Sequence, residues 1–185
     1  MEREWFDDVV DEWLRYQASL VGRLRTMLFW RGVQGHLPTQ ACDVLDLGGG
    51  SGELAEVMAK AGHRVTLLDS AQPMLDAAKV RMPALNCVLA DIETNDRTSL
   101  LAQSFDLITC HSVIEFVEHP EMVLKQCRTW LRHGGVLSLG FGNLNIRASS
   151  LNPPLDDLKI LFCRPNFLLG RRHGIILTCE TLIET

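Results

Sequence analysis

The stretch Val44-Leu45-Asp46-Leu47-Gly48-Gly49-Gly50-Ser51-Gly52 constrains this chain more than any other. An apolar run ends in an aspartate, glycines recur at Gly48, Gly50 and Gly52, and an amphipathic helical pattern opens at Glu53. The pattern predicts a strand, a tight turn and a helix start, the arrangement in which backbone approaches a nucleotide-like ligand. Glycine suits such a turn because it takes φ > 0 freely and has no side chain to hold the ligand away.

The spacing of the glycines narrows the ligand. A dinucleotide turn reads G-x-G-x-x-G and needs glycine at position 53, where this chain has Glu53. The pattern from Asp46 to Gly52 is instead D-x-G-x-G-x-G. S-adenosyl-L-methionine carries no pyrophosphate, but it does carry an ammonium, a carboxylate and a sulfonium, so carboxylates near the turn make electrostatic sense. On these residues the chain resembles the class I S-adenosylmethionine-dependent methyltransferases.

Apolar periodicity predicts helices at 6–17 and 20–36, with Pro38 and Thr39 closing the segment. Strands and helices then alternate: strand 43–47, helix 52–61, strand 64–69, helix 72–80, strands 86–90 and 105–110, helix 120–131 and strand 136–140. Gly62 reads as the residue that ends the first core helix, Ser70 and Pro73 mark the start of the next, and Gly134-Gly135 separate the last helix from its strand. Continuous apolar strands in such an order imply an α/β fold with a doubly wound, mainly parallel, Rossmann-like sheet. The expected organisation is a single domain over 1–185, with a helical cap at 1–38, a cofactor-binding core at 40–142 and a variable acceptor-side segment at 143–185.

Composition removes several function classes. With 46% hydrophobic and 22% charged residues the chain reads as an ordinary soluble domain. A net charge of −5 opposes a surface wholly committed to nucleic acid while leaving room for a local basic patch. No apolar run suits a membrane span, and the acidic start is unlike a signal peptide. The six cysteines are scattered without a C-x-x-C pair, as expected of buried, reduced thiols in a cytoplasmic protein.

A ligand of a doubly wound sheet lies outside the carboxyl ends of the strands. Strand one ends at Asp46 and the glycines. Strand two ends at Asp69, where an acid accepts hydrogen bonds from both ribose hydroxyls. Strand three ends at Asp91-Ile92, which offer a carboxylate to the adenine amino group and a backbone N–H to a ring nitrogen. Strand four ends at His111. Singly, each has a plain alternative: Asp69 as a helix cap, Asp91 as a turn residue, His111 as a structural histidine. Together they supply the right polar type at four strand ends. His111, Glu115 and His119 stand four residues apart, but Pro120 follows at once and apolar residues interleave, so no metal is expected. The acidic run Glu2, Glu4, Asp7, Asp8, Asp11 and Glu12 reads as a solvated helix start.

A narrower resemblance rests on Phe6-Asp7-Asp8, on Gly22-Arg23-Leu24-Arg25 with Trp30 five residues on, and on the run from Val136 to Leu139 before Phe141 and Asn143. These are similar to the tRNA 5-carboxymethoxyuridine methyltransferase family, whose members esterify the carboxylate of a modified wobble uridine. The resemblance implies cofactor contacts at Arg25, Gly48, Gly49, Asp69, Asp91, Ile92 and His111, and the turn motif adds Asp46 and Gly50. Arg25 suits a methionine carboxylate, a surface arginine being the plain alternative. Methyl transfer to a carboxylate needs no strong base, so no catalytic base is named. For a phenol or amine acceptor, His111 or Glu115 would be the first candidates.

Beyond strand five, a complete fold of this superfamily carries an antiparallel hairpin. Asn152-Pro153-Pro154, a helix-like segment at 155–162 and an apolar run at 174–178 leave the hairpin incomplete in this reading, either truncated or reduced to one surrogate strand. Arg164, Arg171, Arg172 and His173 form a basic segment in the place where the tRNA family has one, suited to phosphate contacts or simply a solvated loop. The expected function is S-adenosylmethionine-dependent methyl esterification of a modified tRNA base. The alternatives are a small-molecule acceptor or a truncated, cofactor-binding partner protein without activity. A membrane partner is not expected, and the sequence leaves the oligomeric state open.

Overall fold

The computed structural model describes residues 10–93, 100, 102–140 and the backbone of 159–168 and 176–184. Two helices, α1 (Val10–Ala18) and α2 (Leu20–Gln34), precede the sheet. Then follow β1 (Asp43–Leu47), α3 (Glu53–Lys60), β2 (Arg64–Asp69), α4 (Gln72–Arg81), β3 (Asn86–Leu89), β4 (Phe105–His111), a 3-10 turn (Ile114–Phe116), α5 (Pro120–Trp130), β5 (Leu131–Gly140), β6 (Lys159–Leu168) and β7 (Ile176–Glu184). The sheet order is β3-β2-β1-β4-β5-β6-β7. Every neighbouring pair is parallel except β6 with β7.

Alternation along each central strand sends side chains into two separate cores. Leu45 and Leu47 of β1, Ile108 and Cys110 of β4 and Leu137 and Leu139 of β5 point to one face, where α5 covers them with Val123, Leu124, Cys127 and Trp130. Val44, Leu67, Leu107 and Val136 point to the other, under Phe29 and Val33 of α2, Leu54 and Met58 of α3 and Ala78 of α4. Burial on both faces is why these strands read as unbroken apolar runs. Each fully buried leucine contributes about 1.5–3 kcal/mol relative to exposure. Asp46 follows the phase of Val44 and is itself buried, at 3% exposure.

The two ends of the sheet differ. At the amino ends, Asp43 accepts from Arg64 Nε at 2.6 Å and Arg132 Nη2 at 2.9 Å, while Asp106 accepts from Arg132 Nη1 at 2.7 Å and from the Asp43 amide at 2.8 Å. These bonds tie together strands β1, β2, β4 and β5. A groove of about 630 Å³ lies beside them, lined by His63, Arg64, Asn86, Phe105 and Arg132 among others. It is at the wrong end of a doubly wound sheet for a strand-end ligand.

A sharp corner joins α1 to α2. Ser19 Oγ donates to Tyr16 O at 2.5 Å and accepts from the Gly22 amide at 3.2 Å, capping α2. A Cβ on Gly22 would lie 2.4 Å from Tyr16 O, so only glycine lets the end of α1 rest on α2 this closely.

The core elements match the expected ones to within a residue or two, except that β5 is assigned from Leu131. Its pairing with β4 jumps from Phe105–Leu131 to Leu107–Val136, and Gly134 takes φ +77° within the irregularity. The C-terminal expectation is corrected. Residues 159–162, expected to be helical, open strand β6, and positions 176–178 of the later apolar run open a nine-residue strand β7 paired with it, so the hairpin is present. A short continuous apolar run has no period that separates a strand from a buried helix, and at 159–162 sheet pairing decides for the strand. Arg164 likewise lies within β6, opposite Glu180, and not in a loop. The acidic positions 2–8, Asn152, Pro153, Pro154, Arg171, Arg172 and His173 lie outside the described residues. Among the described residues, no helix is long and apolar enough to cross a membrane.

Candidate functional site

The carboxyl ends of β1, β2 and β4 converge around the glycine turn. Gly48 and Gly50 take φ +63° and +54°, and the Gly48 amide donates to Leu68 O at 2.7 Å. A Cβ on Gly48 would meet Val113 Cγ2 at 2.3 Å, and one on Gly49 would meet Asp46 Oδ2 at 2.7 Å. The turn therefore excludes side chains at both positions.

Asp46 sits beneath the turn. Its Oδ1 accepts from Thr109 Oγ1 at 2.6 Å, while Oδ2 is buried without a partner in the protein. Burial pushes its carboxyl up to about 7, and Asp69 and Glu53 add to the shift. An orphaned buried carboxylate oxygen is costly unless a ligand cation or donor completes it.

Asp69 fastens two segments at once. Its Oδ2 accepts from the Gly50 amide at 2.8 Å and its Oδ1 from the Ala71 amide at 2.9 Å. The helix-start role and a ribose role are compatible, since a carboxylate has about four lone-pair sites and the backbone amides do not fill them all. Burial raises its pKa, opposed by the amide bonds. Asp91 Oδ1 accepts from the Glu93 amide at 3.0 Å, a local turn. Glu93 Oε1 in turn accepts from the amides of Glu118 and His119 at 2.8 and 2.9 Å, pinning this loop to the start of α5. Ile92 packs against the core face that α5 covers.

Arg25 enters from α2. Its Nη2 donates to Ser112 Oγ at 2.6 Å, and the guanidinium lies 4.8 Å from the Phe29 ring centroid and 5.7 Å from that of Trp13. Burial lowers its pKa, against the fields of Tyr16, Glu115, Glu53 and Asp46, and an arginine stays charged throughout. The guanidinium is thus turned from α2 toward the end of β4.

His111 stacks on Phe29 at 4.1 Å and its Nε2 bonds Ser138 Oγ at 2.8 Å. Gly140 makes room, since a Cβ there would press on both rings at 2.9 Å. The ring's Nδ1 is buried without a partner in the protein. Burial, assisted by Arg25, pushes the imidazole down to about 3, so it is neutral. Glu115 and His119 do not share a helical face with it, because a strand end, a 3-10 turn and a loop separate the three.

Sequence reasoning missed Thr109, Ser112, Ser138 and Glu93, the residues that hold Asp46, Arg25, His111 and the loop after β3. A lone serine or threonine carries no positional signal. Trp13, in the first of the two helices, brings its Nε1 to 3.5 Å from where a Gly50 Cβ would stand.

A glycine turn ringed by strand-end acids on a doubly wound sheet is the frame of the class I S-adenosylmethionine-dependent methyltransferases. The methyltransferase domain family matches residues 45–139, and the chain belongs to it. It is 35% identical over 156 residues to the tRNA 5-carboxymethoxyuridine methyltransferase of Escherichia coli K12, covering 77% of this chain and 58% of that protein. It is 37% identical over 111 residues to a ubiquinone biosynthesis O-methyltransferase of Coxiella burnetii, covering 57% of this chain and 45% of that protein. The chain thus spans about half the length of the curated relatives it matches. A solved TehB-like S-adenosylmethionine-dependent methyltransferase from Corynebacterium glutamicum shares the fold, with a TM-score of 0.65 at 23% identity over 81% of this chain and 80% of that one.

Proposed function

We propose that the chain binds S-adenosyl-L-methionine across the ends of β1 to β4 and methylates an acceptor that arrives already ionised, the carboxylate of a modified tRNA base being the best candidate. The residues present fit that donor. Asp46 offers its orphaned oxygen to a cation, Asp69 accepts from ribose hydroxyls, Asp91 and Ile92 meet adenine, Gly48, Gly49 and Gly50 keep the backbone bare, and Arg25 faces a carboxylate. When bound, S-adenosylmethionine supplies a methyl group already activated on sulfonium. The chain's own task is then to bind, align and exclude water.

The observation that carries the choice of acceptor is the setting of His111, its ring stacked on Phe29 and its Nε2 bonded to Ser138 Oγ. An imidazole pushed down to about 3 is too weak a base to deprotonate a phenol or amine near neutral pH. A carboxylate needs no such help. The similarity to a tRNA carboxymethoxyuridine enzyme points the same way, and Arg164, Arg171 and Arg172 are candidates for phosphate contacts. The similarity to an O-methyltransferase of ubiquinone biosynthesis keeps a small-molecule acceptor as the second reading.

Calorimetric titration with S-adenosylhomocysteine, with NADH in parallel, tests the donor site; binding of the former alone is expected. Incubation with methyl-labelled donor and tRNA bearing 5-carboxymethoxyuridine then tests the acceptor. The expected label is released by mild alkali, as from an ester. A label stable to alkali would overturn carboxylate methylation.

A further inference from the structure

Five planar groups lie in succession across the carboxyl end of the sheet: Tyr16, Trp13, Arg25, Phe29 and His111. The centres of neighbours are 5.5, 5.7, 4.8 and 4.1 Å apart in that order. The inner end is fixed, with Phe29 only 3% exposed and His111 bonded to Ser138. At the outer end, Trp13 and Tyr16 are half-buried and tilted by 36°, so they form an open wedge and not a closed stack.

That wedge is held in place by polar contacts its rings do not make. Gln17, the buried residue of α1, donates from Nε2 to Glu53 Oε2 at 3.3 Å. Ser51 Oγ and Arg81 Nη2 also bond Glu53, so the helix is tied to the glycine turn and to α4. Two large rings kept partly exposed, beside the donor turn and in line with a guanidinium, are placed for a planar partner.

We infer that Trp13 and Tyr16 are the platform on which the methyl acceptor's ring stacks, so that the acceptor is a planar aromatic or pyrimidine ring carrying its carboxylate on a short arm. The inference rests on the methyl-transfer reading above and adds the two residues that hold the acceptor's ring. Stacking fixes the ring plane and one distance, which leaves the arm to bring its oxygen to the donor. A base presented by an RNA loop and a free aromatic acid share this chemistry.

The test uses protein saturated with S-adenosylhomocysteine and two probes with the same arm, phenoxyacetate with a ring and methoxyacetate without one, titrated by NMR. The wild type is expected to prefer phenoxyacetate by about tenfold, the size of one base-on-aromatic stack. Trp13→Leu, which keeps apolar bulk, should reduce the preference to about threefold or less, whereas Trp13→Phe should retain it, each variant being read with S-adenosylhomocysteine at saturation. Equal binding of the two probes by the wild type, no binding of either, or a preference unchanged in Trp13→Leu would overturn the platform. A loss of S-adenosylhomocysteine affinity with the preference intact would assign Trp13 to the donor and overturn it as well. Wild-type protein that takes no S-adenosylhomocysteine would overturn the donor site and the platform with it. Comparing an RNA hairpin bearing 5-carboxymethoxyuridine with the free nucleoside separates the two sources of the ring: tighter binding of the hairpin indicates RNA, and equal binding indicates a free acid.

Discussion

Arg25 of α2 and Ser112 after β4 are 87 residues apart in sequence and joined by a 2.6 Å hydrogen bond. Ser112 makes that bond from φ +57°, a conformation that L side chains avoid, with its amide donating to Gly140 O. Strain of this kind persists only where the surroundings enforce it, and it clusters at functional sites. Ser112→Gly relieves the strain and Ser112→Ala retains it, while both lose the hydroxyl. Thermal unfolding should therefore rank glycine above alanine by about 0.5–1 kcal/mol. Both variants should lose similar S-adenosylhomocysteine affinity in calorimetry, and an unchanged affinity would show that Arg25 positions nothing.

Asp46 gives a pH-dependent prediction whose sign is fixed by its raised pKa. Its carboxyl is neutral in the folded protein up to about 7 and ionises near the ordinary 3.8 when unfolded. Folding therefore loses stability as pH rises from about 4 to about 7, and the loss is complete above that. Asp46→Asn removes this penalty. The unliganded variant should gain on the order of 2–4 kcal/mol at pH 8 and almost nothing at pH 4. It should also bind S-adenosylmethionine more weakly, because the orphaned anionic oxygen is gone. A gain that is flat in pH would mean that Asp46 is ionised in the folded state.

Asp69→Ala should weaken S-adenosylhomocysteine binding by about 1.5–3 kcal/mol, the scale of charge-assisted hydrogen bonds. Because Asp69 also holds the Gly50 and Ala71 amides, a smaller loss of thermal stability is expected alongside. Unchanged affinity, measured by calorimetry, would show that the ribose lies elsewhere.

The glycines at Gly48 and Gly62 both have positive φ but differ in surroundings. Gly48→Ala drives a methyl into Val113 at 2.3 Å, whereas Gly62→Ala meets nothing within 4 Å. Denaturant unfolding should cost about 2–4 kcal/mol at Gly48 and about 1–2 kcal/mol at Gly62. Only the first should reduce donor binding.

The strands of this fold were legible because burial on both faces leaves an unbroken apolar signature, and the glycine turn because its φ values admit little else. The acids at Asp46, Asp69 and Asp91 were legible through topology, which says where strand ends meet. Their supports were not. Nothing in sequence marks Thr109 as the partner of Asp46, since the two are 63 residues apart and meet only through sheet register. At 159–168 the apolar run offers no period, and only pairing with β5 and β7 decides it as a strand.

Gly22 touches neither donor nor acceptor in any reading of the site, yet the approach of α1 depends on the empty space where its side chain would be. A single methyl there would act as a wedge under a lever. The corner would open at Tyr16 and Gln17, and the displacement would grow along the helix toward Trp13. The sheet beneath would remain intact, so such a variant would keep its fold at some loss of stability and still lose its substrate, which makes this hidden glycine a control point for recognition well away from the chemistry.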